Sequence, residues 1–168
     1  MKKILSILVL VTISLSVNAQ HEDYWKSWDD NYRTADVIKI VNSETAYADS
    51  VNKGLIKGDS YSRISKYKVK GIRAGQQRAI SPELKQTIAA VFKVYNVDTK
   101  FLDMVEYEVL MECDGKQVWM PIQTSLINPF KKEIPKGTES YLYCLFVNAH
   151  HQKELTNVFI ISEFAKEQ

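Results

Sequence analysis

The sequence predicts an α+β fold in which a small, mostly antiparallel sheet of five strands packs with two helices. Three observations support this class. They are an Asp-Gly hairpin signal at residues 114–115, a helical stripe of apolar residues over 81–95, and two late segments that are apolar on both strand faces. Strands of the last kind need cover on both sides of the sheet, which helices supply.

The hairpin is centred on Asp114-Gly115, between two segments of alternating polarity, 105–113 and 116–122. A type I′ turn holds both of its central residues at positive φ, and Asp-Gly is a preferred pair for that conformation. A two-residue loop also sets the register, so that apolar residues of one face meet each other. The expected pairs are Cys113 with Lys116, Met111 with Val118, Leu110 with Trp119, Val109 with Met120, and Tyr107 with Ile122.

Both helices are predicted from apolar spacing. The first lies in an N-terminal helical segment, residues 20–57, and we expect it to span 22–53 and to pack its aromatic face on the sheet. Asn42-Ser43 are cap-type residues that would suit a break in it. The second helix, 81–95, has Ser81 as its N-cap, followed by a proline. The stripe of the first helix consists of Trp25, Trp28, Tyr32, Ala35, Ile38 and Val41.

The other strands are predicted at 60–73, 138–147 and 157–164, with a polar loop, 148–156, between the last two. The connection 123–136 is expected to hold a short helical turn. The five strands would form a strongly twisted sheet or a partly open barrel, comparable in size to OB or SH3-like barrels. That comparison rests on analogy alone.

The N-terminus, residues 1–19, has the three-part pattern of a secretory signal peptide. Lys2 and Lys3 precede an apolar run, and Val17-Asn18-Ala19 suits a cleavage site before Gln20. We therefore expect the protein to be exported, to the periplasm or the extracellular space. The apolar run is short for a membrane span, so no stable membrane insertion is expected after cleavage.

The mature chain, 20–168, is predicted to be one α+β domain, with the helical segment 20–57 followed by a sheet with one helix over 58–168. The full chain has 22 basic and 20 acidic residues, and loss of Lys2 and Lys3 leaves 20 of each. A neutral domain has no general attraction for nucleic acid, so no nucleic-acid partner is predicted.

Motifs for catalysis are missing from the sequence. It contains no phosphate-binding loop, dinucleotide-binding glycine pattern or nucleophile elbow, so no catalytic residue is predicted. His150 and His151 would point to opposite faces of a strand end. We interpret them as exposed loop residues and predict no metal site and no cofactor. Cys113 and Cys144 form either a disulfide or two buried thiols, and the second is favoured because their positions are not obviously adjacent.

A basic row, Lys66, Lys68 and Lys70, is one candidate ligand site. It lies in a stretch, 61–81, that has no acidic residue. The row would either bind an anion or form a cross-strand charge ladder with the hairpin glutamates, and we favour the ladder because the mature chain is neutral. The glutamates concerned are Glu106, Glu108 and Glu112.

The pair Trp119 and Leu110 is the second candidate site. Hairpin parity places it among charged residues on the face opposite Val109. Either the aromatic N-terminal helix covers it, which we favour, or it is the exposed centre of a binding patch, where tryptophan is a common anchor.

These observations predict an exported binding or protein-interaction module of the cell envelope without catalytic activity. Its partner would be another envelope protein or a small ligand. A periplasmic or secreted hydrolase and a structural envelope component are the alternatives, and the oligomeric state is left open. A cleft with a titratable group of perturbed pKa would favour the enzyme, and an apolar patch around Trp119 would favour binding.

Overall fold

The computed structural model describes residues 24–166, in two compact units that divide between Arg33 and Thr34. The expected signal peptide, 1–19, and its cleavage site before Gln20 lie outside the described residues, so export stays a prediction. The described part of the first unit consists mainly of a helix over 24–31, named α1 here. Within α1 the aromatic side chains contact each other, as in the pair Tyr24 and Trp25.

The predicted continuous helix over 22–53 is wrong. Helix α1 ends at residue 31, a two-residue strand β1 follows at Arg33–Thr34, and helix α2 occupies Val37–Asn52. The break lies before α2 and not at Asn42-Ser43, which are inside this helix. Apolar residues recur every three to four positions on both sides of the break, so spacing alone did not reveal it.

The cause of the break is a pair of hydrogen bonds. The Asp36 side chain caps α2, because the Lys39 N–H donates to its Oδ1 at 2.9 Å. One residue earlier, the Ala35 N–H donates to the Lys68 carbonyl at 2.9 Å. A backbone donor given to the sheet cannot continue a helical ladder, so a single helix cannot run through this position.

The remaining elements follow the predicted order with longer strands. The prediction of the second helix is confirmed, since the Leu84 N–H donates to Ser81 Oγ at 3.1 Å. The strands are β2 (Ser60–Ala79), β3 (Tyr107–Cys113), β4 (Lys116–Ile122), β5 (Glu139–His151) and β6 (Glu154–Lys166). The helices are α3 (Pro82–Val94) and α4 (Ile127–Glu133), with 3₁₀ turns at Thr99–Met104 and Thr124–Leu126.

Within residues 24–166 the sheet has six strands in the order β1-β2-β3-β4-β6-β5, and β2 also pairs with β5, so the sheet partly closes on itself without forming a barrel. It is mixed, because β4 and β6 meet in parallel at Ile122 and Ile161. The prediction of five strands is therefore corrected to six. Strand β1 has only two residues, which is too short to leave a periodic signal.

Strand β2 makes the partial closure possible. Its first part, from Ser60 to Ile72, pairs with β5, and its last part, from Ile72 to Ala79, pairs with β3. Gly71 lies at this change of partner, where an added Cβ would be 3.1 Å from Cys113 Sγ. With a side chain at this position, Cys113 Sγ and Met111 Cε would have to move by a few tenths of an ångström.

The predicted polar loop 148–156 is also wrong. Strands β5 and β6 continue through it and leave only a two-residue turn, Gln152-Lys153, with φ values of 49° and 72°. Glutamine and lysine rarely occupy this left-handed region, so the turn has no recognisable sequence signal. The other hairpin is confirmed in every predicted pair, with positive φ at Asp114 and Gly115.

Apolar side chains on the last strands divide by parity between two clusters. Cys144 and Phe146 belong to a cluster shared with α2 and α4, whereas Val147 belongs to one beneath α3. The prediction that both faces of these strands are covered is confirmed. Cys113 and Cys144 are buried free thiols, and burial raises the pKa of Cys113 to about 12.

We predict that Gly115→Val destabilises the protein by about 1–3 kcal/mol, because a β-branched residue resists the φ of 74° found at this position. Nothing lies within 4 Å of an added Cβ there, so the loss would report backbone strain and not a clash. Chemical denaturation would measure it. Gly115→Asn is the control and should lose less, because asparagine tolerates positive φ. Equal midpoints for all three proteins would contradict the prediction.

Candidate functional site

The three lysines of the first candidate site, Lys66, Lys68 and Lys70, lie in the part of β2 that pairs with β5. The expected ladder between this row and the hairpin glutamates is therefore wrong, because β3 pairs only with the last part of β2. There Glu108 lies opposite Arg78. The ladder required the lysine part of β2 to be the neighbour of β3.

Tyrosines of β5 take the place of the expected glutamates. The Lys68 Nζ lies 4.5 Å from the ring centroid of Tyr141 and 5.5 Å from that of Tyr143. The Lys70 Nζ lies 5.0 Å from the Tyr141 centroid and 3.3 Å from the Glu139 carboxylate. Two ammonium groups therefore share one aromatic ring, an arrangement stabilised by attraction between each cation and the ring quadrupole.

This ring forms one wall of a pocket of about 430 Å³. The volume is within the range of roughly 300–1,000 Å³ that is usual for small-molecule sites. Lys66 is not among the lining residues, so the structure brings two of the three predicted lysines to the pocket. The lining consists of Thr34, Ala35, Asp36, Lys68, Lys70, Asp114 and Tyr141.

Two carboxyl groups, Asp36 and Asp114, line this pocket, and each affects the pKa of the other. Two carboxyl groups that interact titrate in steps that belong to the pair. The backbone N–H of Lys39 lowers the pKa of Asp36. Burial, followed by the hydrogen bond to Asp36, raises the pKa of Asp114. The pKa of Asp114 is therefore the higher of the two.

The second candidate site, Trp119 and Leu110, is not an open apolar patch. Leu110 is buried, and the guanidinium carbon of Arg78 lies 4.2 Å from the centroid of the half-buried Trp119 ring. The Arg78 Nε donates to Glu108 Oε2 at 2.6 Å. Arg78, from the neighbouring part of the sheet, therefore covers the Trp119 ring. The sequence analysis did not predict this contact.

An ion pair between a buried glutamate of α2 and a half-exposed arginine of β2 was also missed. Glu44 is only 3% exposed and accepts a hydrogen bond from Arg63 Nη1 at 2.6 Å. The Tyr61 hydroxyl donates to the Glu44 carbonyl at 3.3 Å, and burial followed by the Glu44 charge raises the pKa of Tyr61. The sequence held a signal, because Glu44 lies four residues before Ala48, on the buried face of α2.

The interpretation of His150 as an exposed loop residue is wrong, although the expectation that the two histidines face opposite ways is confirmed. His150 is buried, stacks on Tyr61 at 5.1 Å between centroids, and shares a hydrogen bond with Asn52 through its Nε2. His151 is exposed and bonds to Ser60 Oγ. Both lie on β5 because this strand runs further than predicted.

Within residues 24–166, no three histidine, cysteine, aspartate or glutamate side chains gather in a way that could hold a metal ion. In the same part of the chain, each helix is too short or too polar to cross a membrane. Comparison of the chain with protein-family models, with curated proteins and with solved structures gives no match.

We predict that Arg78→Ala destabilises the protein by about 1–3 kcal/mol, because it leaves the buried Glu108 carboxylate without its donor. It should also increase acrylamide quenching of Trp119, measured in a protein with Trp25 and Trp28 replaced by phenylalanine. Lys116→Ala, at an exposed position of the same hairpin, is the control. Unchanged quenching in Arg78→Ala would show that Arg78 does not cover the indole ring.

Asp36 is expected to stabilise the fold in a pH-dependent way. Its pKa is lowered in the folded protein, so its contribution is present above the unfolded value and is lost as the pH falls through the folded value. Asp36→Ala should therefore lose about 1 kcal/mol near neutral pH, with a smaller loss in acid. Urea denaturation over a pH series measures this. Asp36→Asn keeps a capping oxygen and should show little loss; equal losses in both variants would contradict the capping role.

Proposed function

We propose that this protein is an exported binding protein that holds a small polar ligand in the pocket between β2, β5, the β3–β4 turn and the start of α2. The observation that carries the proposal is the Tyr141 ring with two ammonium groups on it, in a pocket that two carboxyl groups also line. An aromatic wall with a few convergent polar groups is the usual composition of a small-molecule site.

The lysines indicate the chemistry of one end of the ligand. The ammonium groups of Lys68 and Lys70 are positioned by the same ring, and they line the pocket together with the Tyr141 side chain. Ammonium groups held in this way favour a carboxylate or another acidic group of a ligand. The aromatic ring would then contact the apolar part of the ligand beside that group.

A hydrolase is the second candidate function, and the carboxyl pair favours it. Asp36 has a lowered pKa and Asp114 a raised one, as in a general base and a general acid. We prefer binding because the Asp36 carboxylate already accepts the N-terminal hydrogen bond of α2. A base committed to a helix cap is less available to a substrate.

A partner protein is less well supported as the ligand. The Trp119 surface, which would have been its anchor, is covered by Arg78, and Leu110 beside it is buried. Interface anchors are effective when an aromatic side chain is open to enter a pocket of the partner. The pocket on β5 has the volume of a small-molecule site instead.

Binding would be tested by calorimetry and thermal shift with a panel of small carboxylic acids, sugar acids and amino acids. Lys68→Met and Lys70→Met should each lower the affinity for any binding acid by at least about ten-fold, equivalent to one charge-assisted hydrogen bond. Lys66→Met is the matched control, because Lys66 is on the same strand but does not line the pocket.

Three outcomes distinguish the candidates. Loss of binding in the two pocket variants, with retention in Lys66→Met, supports the binding function. Binding by no member of the panel, or equal affinity in all variants, contradicts it. Turnover of a bound ester, amide or glycoside that is lost in Asp114→Asn would replace it with the hydrolase.

A further inference from the structure

A serine and a histidine form a hydrogen-bonded pair where β2 begins and β5 ends. Ser60 Oγ and His151 Nδ1 lie 2.7 Å apart. In the neutral imidazole that carries its proton on Nε2, the Ser60 hydroxyl donates this bond and Nδ1 accepts it. A hydroxyl held at this distance from a basic nitrogen is the arrangement in which a nucleophile passes its proton to a general base.

The backbone register produces this contact. Ser60 of β2 lies directly opposite His151 of β5, and His151 in turn lies opposite Glu154 of β6. Side chains of directly opposite residues share one face of the sheet, with Cβ atoms about 4.5–5.5 Å apart. A hydroxyl, an imidazole and a carboxylate therefore follow one another across three neighbouring strands.

All three members of this row are exposed to solvent. The row is separate from the pocket beside Tyr141, because none of its residues belongs to the pocket lining. The chain that leads into β2 leaves space as well, since nothing lies within 4 Å of a Cβ added at Gly58, two residues before Ser60. A small molecule can therefore reach the Ser60 hydroxyl without a rearrangement of the fold.

A second serine on the same face provides an internal comparison. Ser62 follows Ser60 by two positions on β2, so both side chains lie on one side of the strand. The residue of β5 directly opposite Ser62 is Ala149. The two serines thus have similar backbone positions, but only Ser60 lies directly across from a histidine.

We propose that Ser60 is a nucleophile that His151 activates toward small carboxylic esters, with Glu154 as the positioning residue that stabilises the imidazolium formed during the attack. This esterase activity is additional to the proposed ligand binding and does not depend on it. An exposed strand end offers a substrate few contacts, so the favoured substrates are esters with a good leaving group, such as aryl esters.

The reaction has two balanced halves. In the first, Ser60 Oγ bonds to the carbonyl carbon of the ester while its proton passes to His151 Nδ1. The bond from that carbon to the leaving oxygen breaks, and His151 returns the proton to this oxygen, so an alcohol departs and an acyl-serine remains. In the second, water takes the place of the serine hydroxyl, the carboxylic acid is released, and both side chains regain their starting state.

The experiment is covalent labelling of the intact protein with a fluorophosphonate, which bonds to a base-activated serine with loss of fluoride. Intact-mass spectrometry measures the labelling rate, and peptide mapping identifies the modified residue. We expect one adduct per molecule, on Ser60. Hydrolysis of p-nitrophenyl acetate, measured in parallel, should require the same residue.

Four variants test the assignment of the nucleophile and the base. Ser60→Ala should abolish labelling, and His151→Gln should slow it by at least about ten-fold, because glutamine is similar in size but is not a base. Ser62→Ala is the matched control and should label like the wild type. Lys68→Met, which changes only the pocket, should do the same. Melting curves of each variant check that it is folded.

The role of Glu154 has its own test. Glu154→Gln removes the charge and should slow labelling, though less than His151→Gln does. Glu154→Asp restores a carboxylate and should recover part of the rate. A purely structural role would change the melting temperature and leave the labelling rate of the folded protein unchanged. Equal rates in the wild type and Glu154→Gln would overturn the role given to this residue.

The remaining outcomes decide the inference as a whole. An adduct on Ser60 whose rate depends on His151 supports it. No adduct, an adduct only on other residues, or equal rates in the wild type and His151→Gln overturns it. Ester hydrolysis that is lost in Asp114→Asn and retained in Ser60→Ala would also overturn it, and would assign the activity to the pocket. Failure of ligand binding in the Lys68→Met comparison contradicts the proposed function alone.

Discussion

The change of partner along β2 is the constraint on which the rest of this structure depends. One strand of 20 residues pairs first with β5 and then with β3, and so it joins two hairpins that are distant in the sequence. A residue without a side chain fits best at the change, because Cys113 Sγ and Met111 Cε lie close to Gly71. Backbone hydrogen bonds made in two directions then hold the sheet in its partly closed form.

The course of β2 also decides which arginines neutralise the two buried carboxylates. Glu44 and Glu108 are both almost fully buried, and each is bonded at 2.6 Å to an arginine of β2 that is about half exposed. A long arginine side chain reaches a buried acceptor while part of its charge stays in water, which reduces the cost of desolvation. Strand β2 thus provides Arg63 to pair with Glu44 of α2 and Arg78 to pair with Glu108 of the β3–β4 hairpin. The predicted lysine–glutamate ladder would have been exposed on both sides and weaker.

The pocket forms where residues from three separate parts of the chain come together. The cap of α2 places Asp36 there, the type I′ turn places Asp114 there, and the pairing of β2 with β5 places two lysines beside Tyr141. Each of these residues also has a local structural role or contact, so contacts within the protein hold the lining of the pocket in position. Under the proposed binding function, such preorganisation would lower the entropic cost of binding.

Local chemistry in the sequence was sufficient for several elements. Asp114-Gly115 predicted the turn and every pair of its hairpin, and Ser81 predicted the start of α3, because positive φ and helix capping depend on adjacent residues alone. The two-sided apolar strands predicted a sheet covered on both faces. The lysine row was correctly placed on one face of a strand, and two of its members line the candidate pocket.

Tertiary structure decided which strands are neighbours, and with that the nature of the site. Whether the lysines of β2 meet glutamates or tyrosines depends on whether β3 or β5 pairs with that part of β2, and both pairings satisfy the same alternation. Two other features could not be predicted for a similar reason. The sheet hydrogen bond at Ala35 stabilises the break before α2, and the long β5–β6 pairing stabilises the turn at Gln152-Lys153. The local residues do not favour either conformation. A periodic pattern specifies which face a side chain occupies, but the partner across that face is set by contacts far apart in the chain.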